Sequence, residues 1–225
     1  MTEMFLSRAR LRADISVRAL APLLLPEGTA GLLAAHRLVW SLMSDNADRT
    51  RDFLWREKEQ GTFLILAPRP AIDGRLFDVQ SKLWEPNLRS GDRLGFLLRA
   101  NPTVARSAGP GQRGKRLDVV WDALRHVPPG ERAGVRREVL VDAGREWLIR
   151  QGARAGFAPD SDLLRVDGYD TVRVPRGDRK SVEFGRLEFE GVLEVADPTT
   201  FVAAVIGGFG RARAFGCGLM LLRRA

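Results

Sequence analysis

His36 and His126 are the chain's only imidazoles, and Cys217 is its only thiol. Acid–base chemistry near neutral pH therefore falls first on a histidine, whose ring can take or give a proton in that range. The same scarcity excludes other chemistries. One cysteine makes no internal disulfide, and two histidines with one cysteine build no His/Cys metal cluster. Carboxylate-bound Mg²⁺ would need a dense Asp/Glu constellation, and none stands out in the sequence. The expectation is a protein with no metal and no cofactor.

His36 lies in TAGLLAAHRLVWSLMSD, whose apolar residues recur at helical spacing. On a helical wheel it falls in the apolar arc of Leu32, Val39, Trp40 and Met43, with Arg37, Ser41 and Ser44 opposite. By pattern alone this histidine is a partly buried, hydrogen-bonded residue more readily than a catalyst. His126, in RHVPPGER, reads as a surface-loop residue without a role.

Cationic residues are the second resource. The 225 residues carry 36 Lys and Arg against 28 Asp and Glu, a net charge of +8, and only Lys58, Lys82, Lys115 and Lys180 are lysines. Such a balance favours a polyanionic partner, and arginine suits phosphate and bases, although a GC-rich coding sequence also enriches arginine. Three stretches gather the charge. GGFGRARAFGCG sets Arg211 and Arg213 among Gly208, Gly210, Gly216 and Gly218. It follows a helix and opens a strand, the reverse of a dinucleotide or phosphate loop, and it lacks the Lys-Ser/Thr pair of a Walker loop. A bare, basic backbone of this kind fits a sugar-phosphate chain; glycines needed only for positive φ at a tight connection are the plainer account. VRVPRGDRKSV supplies Arg173, Arg176, Arg179 and Lys180, and the segment around SAGPGQRGKR supplies Arg106, Arg113, Lys115 and Arg116.

The elements that must position these residues repeat. FLSRARLRAD alternates as a strand with Phe5, Ala9 and Leu11 on one face and Arg8, Arg10 and Arg12 on the other. The His36 helix follows, then a hairpin in RDFLWREKEQGTFLILAPRP turning at Gly61. Residues 70 to 92 read as an irregular remainder and a linker. DRLGFLLRANP restarts with a strand, GVRREVLVDAGREWLIRQG is a helix, and 161 to 197 form a second hairpin turning at RGDRK. Asp197-Pro198 starts a helix over PTTFVAAVIGG, and GCGLMLLRRA is the last strand. The expectation is an α+β chain of two tandem ferredoxin-like (RRM-like) domains, 1–88 and 89–225, the second ending in the glycine-rich loop. The amino end has arginines where a signal peptide needs an apolar core, and no stretch reaches the length of a membrane span, so a cytoplasmic protein without membrane contact is expected.

GFGRARAFGCGLMLL, GDRLGFLLRANP, AAHRLVWSLM with RDFLWR, and FEGVLEVAD, taken in their order, resemble the CasE-type CRISPR RNA endonucleases of type I-E systems. The resemblance implies two ferredoxin-like domains and a metal-independent enzyme. It implies cleavage of a CRISPR precursor transcript at the base of the repeat stem-loop, to a 2′,3′-cyclic phosphate. The product, mature crRNA, stays bound with the protein among the other Cascade subunits. It makes His36 the catalytic residue and lays the 173–180 hairpin along the RNA stem; the positive charge such a reaction needs as transition-state or phosphate contacts is offered by Arg37, a helix neighbour diverging by about 100°, or by Arg211 or Arg213. One departure is visible: the tyrosine that better-known members carry three residues before the histidine is Leu33 here. The only tyrosine, Tyr169, lies in the second domain. A non-cleaving RNA-binding subunit of the same fold is the alternative.

Overall fold

The computed structural model describes residues 3–14, 20, 22, 24–46, 48–72, 76–107, 109, 112, 114–176 and 179–225, with residues 176, 179 and 180 described by backbone alone. Strand β1 (Phe5–Leu11) leads to helix α1 (Gly28–Met43), and β2 (Leu54–Glu59) and β3 (Thr62–Ala67) form the first hairpin. A further strand, β4 (Phe77–Leu83), lies where the sequence predicts irregular chain. It is a sheet-edge strand in which Phe77 alone is fully buried and five of the other residues are exposed, so its apolar alternation is too faint to read. The four strands make an antiparallel sheet in the order β2-β3-β1-β4.

The second half begins with β5 (Arg93–Ala100). A short hairpin, β6 (Thr103–Arg106) and β7 (Lys115–Asp118), frames the basic loop, and helices α2 (Val119–Leu124) and α3 (Arg132–Ala155) follow. Asp118 caps α2 by accepting from the amides of Val120 and Trp121. Strands β8 (Phe157–Pro159), β9 (Arg165–Arg176) and β10 (Arg179–Val195) precede α4 (Pro198–Gly207) and β11 (Met220–Arg224). The predicted start of α4 is found: Asp197 accepts from the amides of Thr199 and Thr200, with Pro198 in the first turn. The second sheet runs β11-β5-β10-β8, and β9 shares the β8 edge of β10.

Period-two alternation sends the two faces of the first sheet to different cores. Ala9, Trp55, Phe63, Ile65 and Ala67 pack with Ala35, Val39, Leu42 and Met43 of α1. Met4, Leu54 and Leu66 leave by the other face and join Phe96, Leu98, Leu187, Phe189 and Phe209 of the second half. Each such fully buried side chain contributes about 1.5–3 kcal/mol, so the halves are fixed by a shared core. A smaller cluster, Val172, Val174, Phe184 and Cys217, receives Leu32, Leu33 and Phe215 and closes the seam beside α1.

Candidate active site

His36 faces that seam. Its ring lies 5.8 Å from Phe215 and edge-on to Trp40 at 6.3 Å, and Phe215 in turn stacks on Phe184 of β10 at 5.4 Å. The residue is half-buried, and its Nδ1 is buried with no hydrogen-bond partner among the described residues. The ring does have a hydrogen-bonding neighbour in the backbone of Ala214, so the partly buried, hydrogen-bonded histidine that the helical pattern suggests is what stands here, with Nδ1 lacking a well-formed partner. Burial pushes the imidazole below its ordinary value, the backbone of Ala214 works the other way, and Arg51 and Arg37 add to the lowering. Leu33 packs into the Val172, Val174, Phe184 and Cys217 cluster.

The glycine-rich loop lies across the seam and is stitched down rather than free. Phe209 is buried in the shared core, its amide donates to the Gly218 carbonyl at 3.0 Å, and the Gly218 amide donates to the Arg99 carbonyl at 2.7 Å. Arg211 bridges Asn101 through its backbone amide at 3.1 Å. Between them Arg213–Phe215 form a single 3₁₀ turn, entered through Ala212 at φ +53°. This turn brings Ala214 and Phe215 to His36.

The cations predicted for chemistry divide. Arg37 and Arg211 are exposed. Arg213 is half-buried and donates to the carbonyls of Gly208 (2.8 Å) and Gly210 (3.3 Å), so part of its guanidinium braces the loop. Burial lowers its pKa. Arg51 was missed by sequence reasoning: it stands just ahead of β2 in a stretch without periodicity, and only the fold brings its charge to both His36 and Arg213. Desolvation and then Arg213 lower Arg51, although the residue as a whole is exposed; a guanidinium so placed stays charged.

Of the residues predicted to hold RNA, Arg173 is exposed on β9 and donates from Nε to Ser181 across the hairpin at 3.1 Å. The side chains of Arg176, Arg179 and Lys180, and all of Arg113, lie outside the described residues. Lys115 and Arg116 are exposed on β7. Arg106 is held by Asp122, a buried carboxylate of α2, at 2.9 Å from Nε. His126 is exposed and beside Arg125, as the sequence suggests. Tyr169 is occupied elsewhere: its hydroxyl donates to Asp118 at 3.2 Å, and burial first, with Asp118, raises it to about 12.

At the N-terminal end of α1, bordering the same seam at Leu32 and Val172, an open cleft of about 620 Å³ is lined by Glu27, Glu57, Lys58, Glu59 and Asp170. Of the arginines there, Arg99 is tied to Glu188 and Arg186 to Asp170. Among the described residues no three His, Cys, Asp or Glu side chains are grouped to hold a metal ion, and no helix is long and apolar enough to cross a membrane.

The Cascade subunit CasE of Escherichia coli (strain K12) is 29% identical over 201 residues, 85% of this chain and 91% of that protein. The CRISPR-associated endoribonuclease Cse3 of Thermus thermophilus is 29% identical over 168 residues, 74% of this chain and 66% of that protein. Among solved structures, Thermus thermophilus Cse3 bound to an RNA representing a pre-cleavage complex superposes with a TM-score of 0.68 at 24% identity, covering 98% of this chain and 99% of that one. Cas6e from Escherichia coli K-12 gives 0.57 at 21%, covering 98% and 100%. The likeness in structure is one of fold, a mixed α/β chain with antiparallel sheets. The model of the family described as CRISPR associated protein matches residues 4–224, and with that span the chain belongs to this family, CasE and Cse3 being among its relatives.

Proposed function

We propose that this chain is an endoribonuclease that cuts CRISPR precursor RNA at the base of the repeat stem-loop without a metal, and then keeps the mature crRNA as a Cascade subunit in the cytoplasm. The observation that carries the reading is His36: a half-buried imidazole at a seam between two sheets, beside the backbone of Ala214 and in the field of Arg51 and Arg37. Relatives described as a Cascade subunit and as a CRISPR-associated endoribonuclease support the substrate.

The two sheets support a reading as tandem ferredoxin-like domains, 1–88 and 89–225. The order β2-β3-β1-β4 of the first is repeated by β9-β10-β5-β11 in the second, and the proposed boundary falls between β4 and β5.

In the chemistry we propose, the 2′-hydroxyl at the scissile step attacks the adjacent phosphorus in line. A 2′-O–P bond forms, the P–O5′ bond breaks, and a 2′,3′-cyclic phosphate and a 5′-hydroxyl result. The lowered pKa keeps His36 neutral in the free protein near pH 7, the form that accepts the 2′-hydroxyl proton; the leaving oxygen takes a proton from water. Arg37, Arg51 and Arg211 offset the growing charge on the phosphorane, while Arg213 shares its donors with the loop. The hairpin of Arg173, Arg176, Arg179 and Lys180 grips the stem through phosphates, joined at its base by Lys115 and Arg116.

The test is cleavage of a cognate repeat stem-loop RNA in EDTA by the parent and by His36→Ala, with binding measured for both. A parent that cuts to a cyclic phosphate beside a variant that binds without cutting supports the reading. One specific observation favours a second reading, a non-cleaving RNA-binding subunit: Leu33 stands where better-known members of the family resembled carry tyrosine. A parent that binds but never cuts would establish that second reading.

A further inference from the structure

Strand β2 is one edge of the first sheet, opposite β4, and the glycine-rich loop closes over that edge from both sides. Leu54 leaves β2 toward the shared core, and its Cδ1 and Cδ2 each stand 2.8 Å from where a Cβ on Gly208 would be. Trp55 leaves by the opposite face, into the α1 core. The Cη2 and Cζ3 atoms of its ring stand 3.3 Å from a Cβ position on Gly216. Both glycines hold φ +74°, which disfavours any side chain, and a Cβ at Gly216 would press on the Trp55 ring while one at Gly208 would displace the end of Leu54. Gly208 and Gly216 are thus the two jaws of a clip, with the 213–215 turn carried between them.

Phe215 touches α1 directly at His36, and Trp55 supports the clip from below, between Gly216 and the α1 core. Trp55 is 1% exposed, edge-on to Phe63 at 5.9 Å, and packed in one cluster with Ala35 and Val39, which flank His36 on the helix. Its indole Nε1 is buried without a partner among the described residues, a cost that a phenyl ring would avoid. The atoms that reach Gly216 belong to the outer ring of the indole, which phenylalanine lacks. The reach of the side chain, rather than its burial alone, is what this position uses.

We propose that Trp55 is a positioning residue: by setting the seat of Gly216 it fixes the height of the 213–215 turn over α1, and so holds Ala214 and Phe215 against His36. The role given to His36 rests on the function proposed above, while the hold on its ring does not.

The experiment compares the parent with Trp55→Phe and with Gly216→Ala, which approaches the same contact from the loop. Single-turnover cleavage of the repeat stem-loop RNA and its affinity are measured alongside an NMR titration of protein labelled in its two histidines. His36→Ala assigns the signals, and His126 serves as internal control. Both variants are expected to bind RNA as the parent does and to cut about 10-fold more slowly or worse. The His36 resonance moves, its titration shifting upward as burial, the largest cause, is relieved in the field of Arg51 and Arg37, with loss of the Ala214 backbone contact offsetting part of the shift, while the His126 resonance stays in place. A residue that only stabilised the fold would lower the unfolding temperature and leave the His36 signal alone. Parent-like cutting with an unmoved His36 signal in both variants overturns the proposal. Parent-like cutting by His36→Ala would instead overturn the catalytic reading, and the movement of the His36 signal would then decide the positioning role by itself.

Discussion

Arg56 of the first sheet donates from Nη2 to Glu188 of the second at 2.9 Å. The same carboxylate accepts from Arg99 Nε, which lies directly opposite it in the β5–β10 register. Glu188 therefore joins the two halves at a point where the shared core is flanked by charge. Arg56 is only 12% exposed along its side chain, and burial lowers its pKa against the pull of Glu188.

The two ends of this bridge are unequal, which makes a test. Glu188→Gln strands a buried guanidinium, and we expect a loss of about 1–3 kcal/mol, less than for a fully buried pair because the carboxylate is 35% exposed. Arg56→Met leaves Glu188 paired with Arg99 and replaces a buried cation by an apolar chain, so it costs under about 1 kcal/mol. Urea unfolding midpoints of the two variants decide; a larger loss for Arg56→Met would show that the bridge is not organised around the carboxylate.

The environment of His36 sets a pH dependence. Its pKa is lowered in the folded protein, so the unfolded chain binds the proton more readily. Stability from this site is fully present above about pH 6.5, the ordinary value, and is lost as pH falls through the lower folded value. A general base has the same direction: single-turnover cleavage should fall only below the ordinary histidine range. Arg51→Ala removes one of the two cations that lower His36, the other being Arg37 on its own helix. The inflection of the rate profile should move to higher pH in that variant. An inflection that stays in place would remove Arg51 from the site.

Much of this was legible in the sequence, and the limits have physical causes. β1, α1, the two long hairpins and the Asp197 cap follow from alternation, helical period and capping chemistry, which are local. β4 escaped because an edge strand with one buried residue carries almost no pattern. Arg51 and Trp55 escaped for another reason: each matters through a contact with the glycine loop or α1, made across a long stretch of chain. The loop's glycines admit two readings from sequence, approach to a sugar-phosphate chain and positive φ at a tight connection; all four have positive φ, and Gly208 and Gly216 also lie close against Leu54 and Trp55.

Leu33 illustrates how a departure from the family resemblance can be absorbed by packing. The side chain is half-buried against Val172, Val174, Phe184 and Cys217, so a phenol placed there must enter an apolar cluster. Leu33→Tyr is expected to destabilise the protein by about 1–3 kcal/mol and to leave the single-turnover rate unimproved. The measurement is thermal unfolding together with cleavage. A variant that cuts faster without loss of stability would mean that position 33 meets the RNA.

Arg173 and Arg106 were read alike from sequence and are placed differently by the fold. Arg173 is exposed on the long hairpin, with a neutral serine as its described hydrogen-bond partner, and its charge is open to phosphate. Arg106 is neutralised by Asp122 and holds the β6–β7 hairpin to α2. Each phosphate contact released contributes about one unit to the slope of log Kd against log salt. Arg173→Ala should therefore weaken binding of the repeat RNA and flatten that slope by about 1. Arg106→Ala should leave the slope unchanged and instead lower the unfolding temperature, since it deprives a buried carboxylate of its first partner. Binding isotherms at four salt concentrations separate the two. Equal slopes for parent and Arg173→Ala would take the hairpin face off the RNA, and a flattened slope for Arg106→Ala would mean that RNA displaces Asp122 from its arginine.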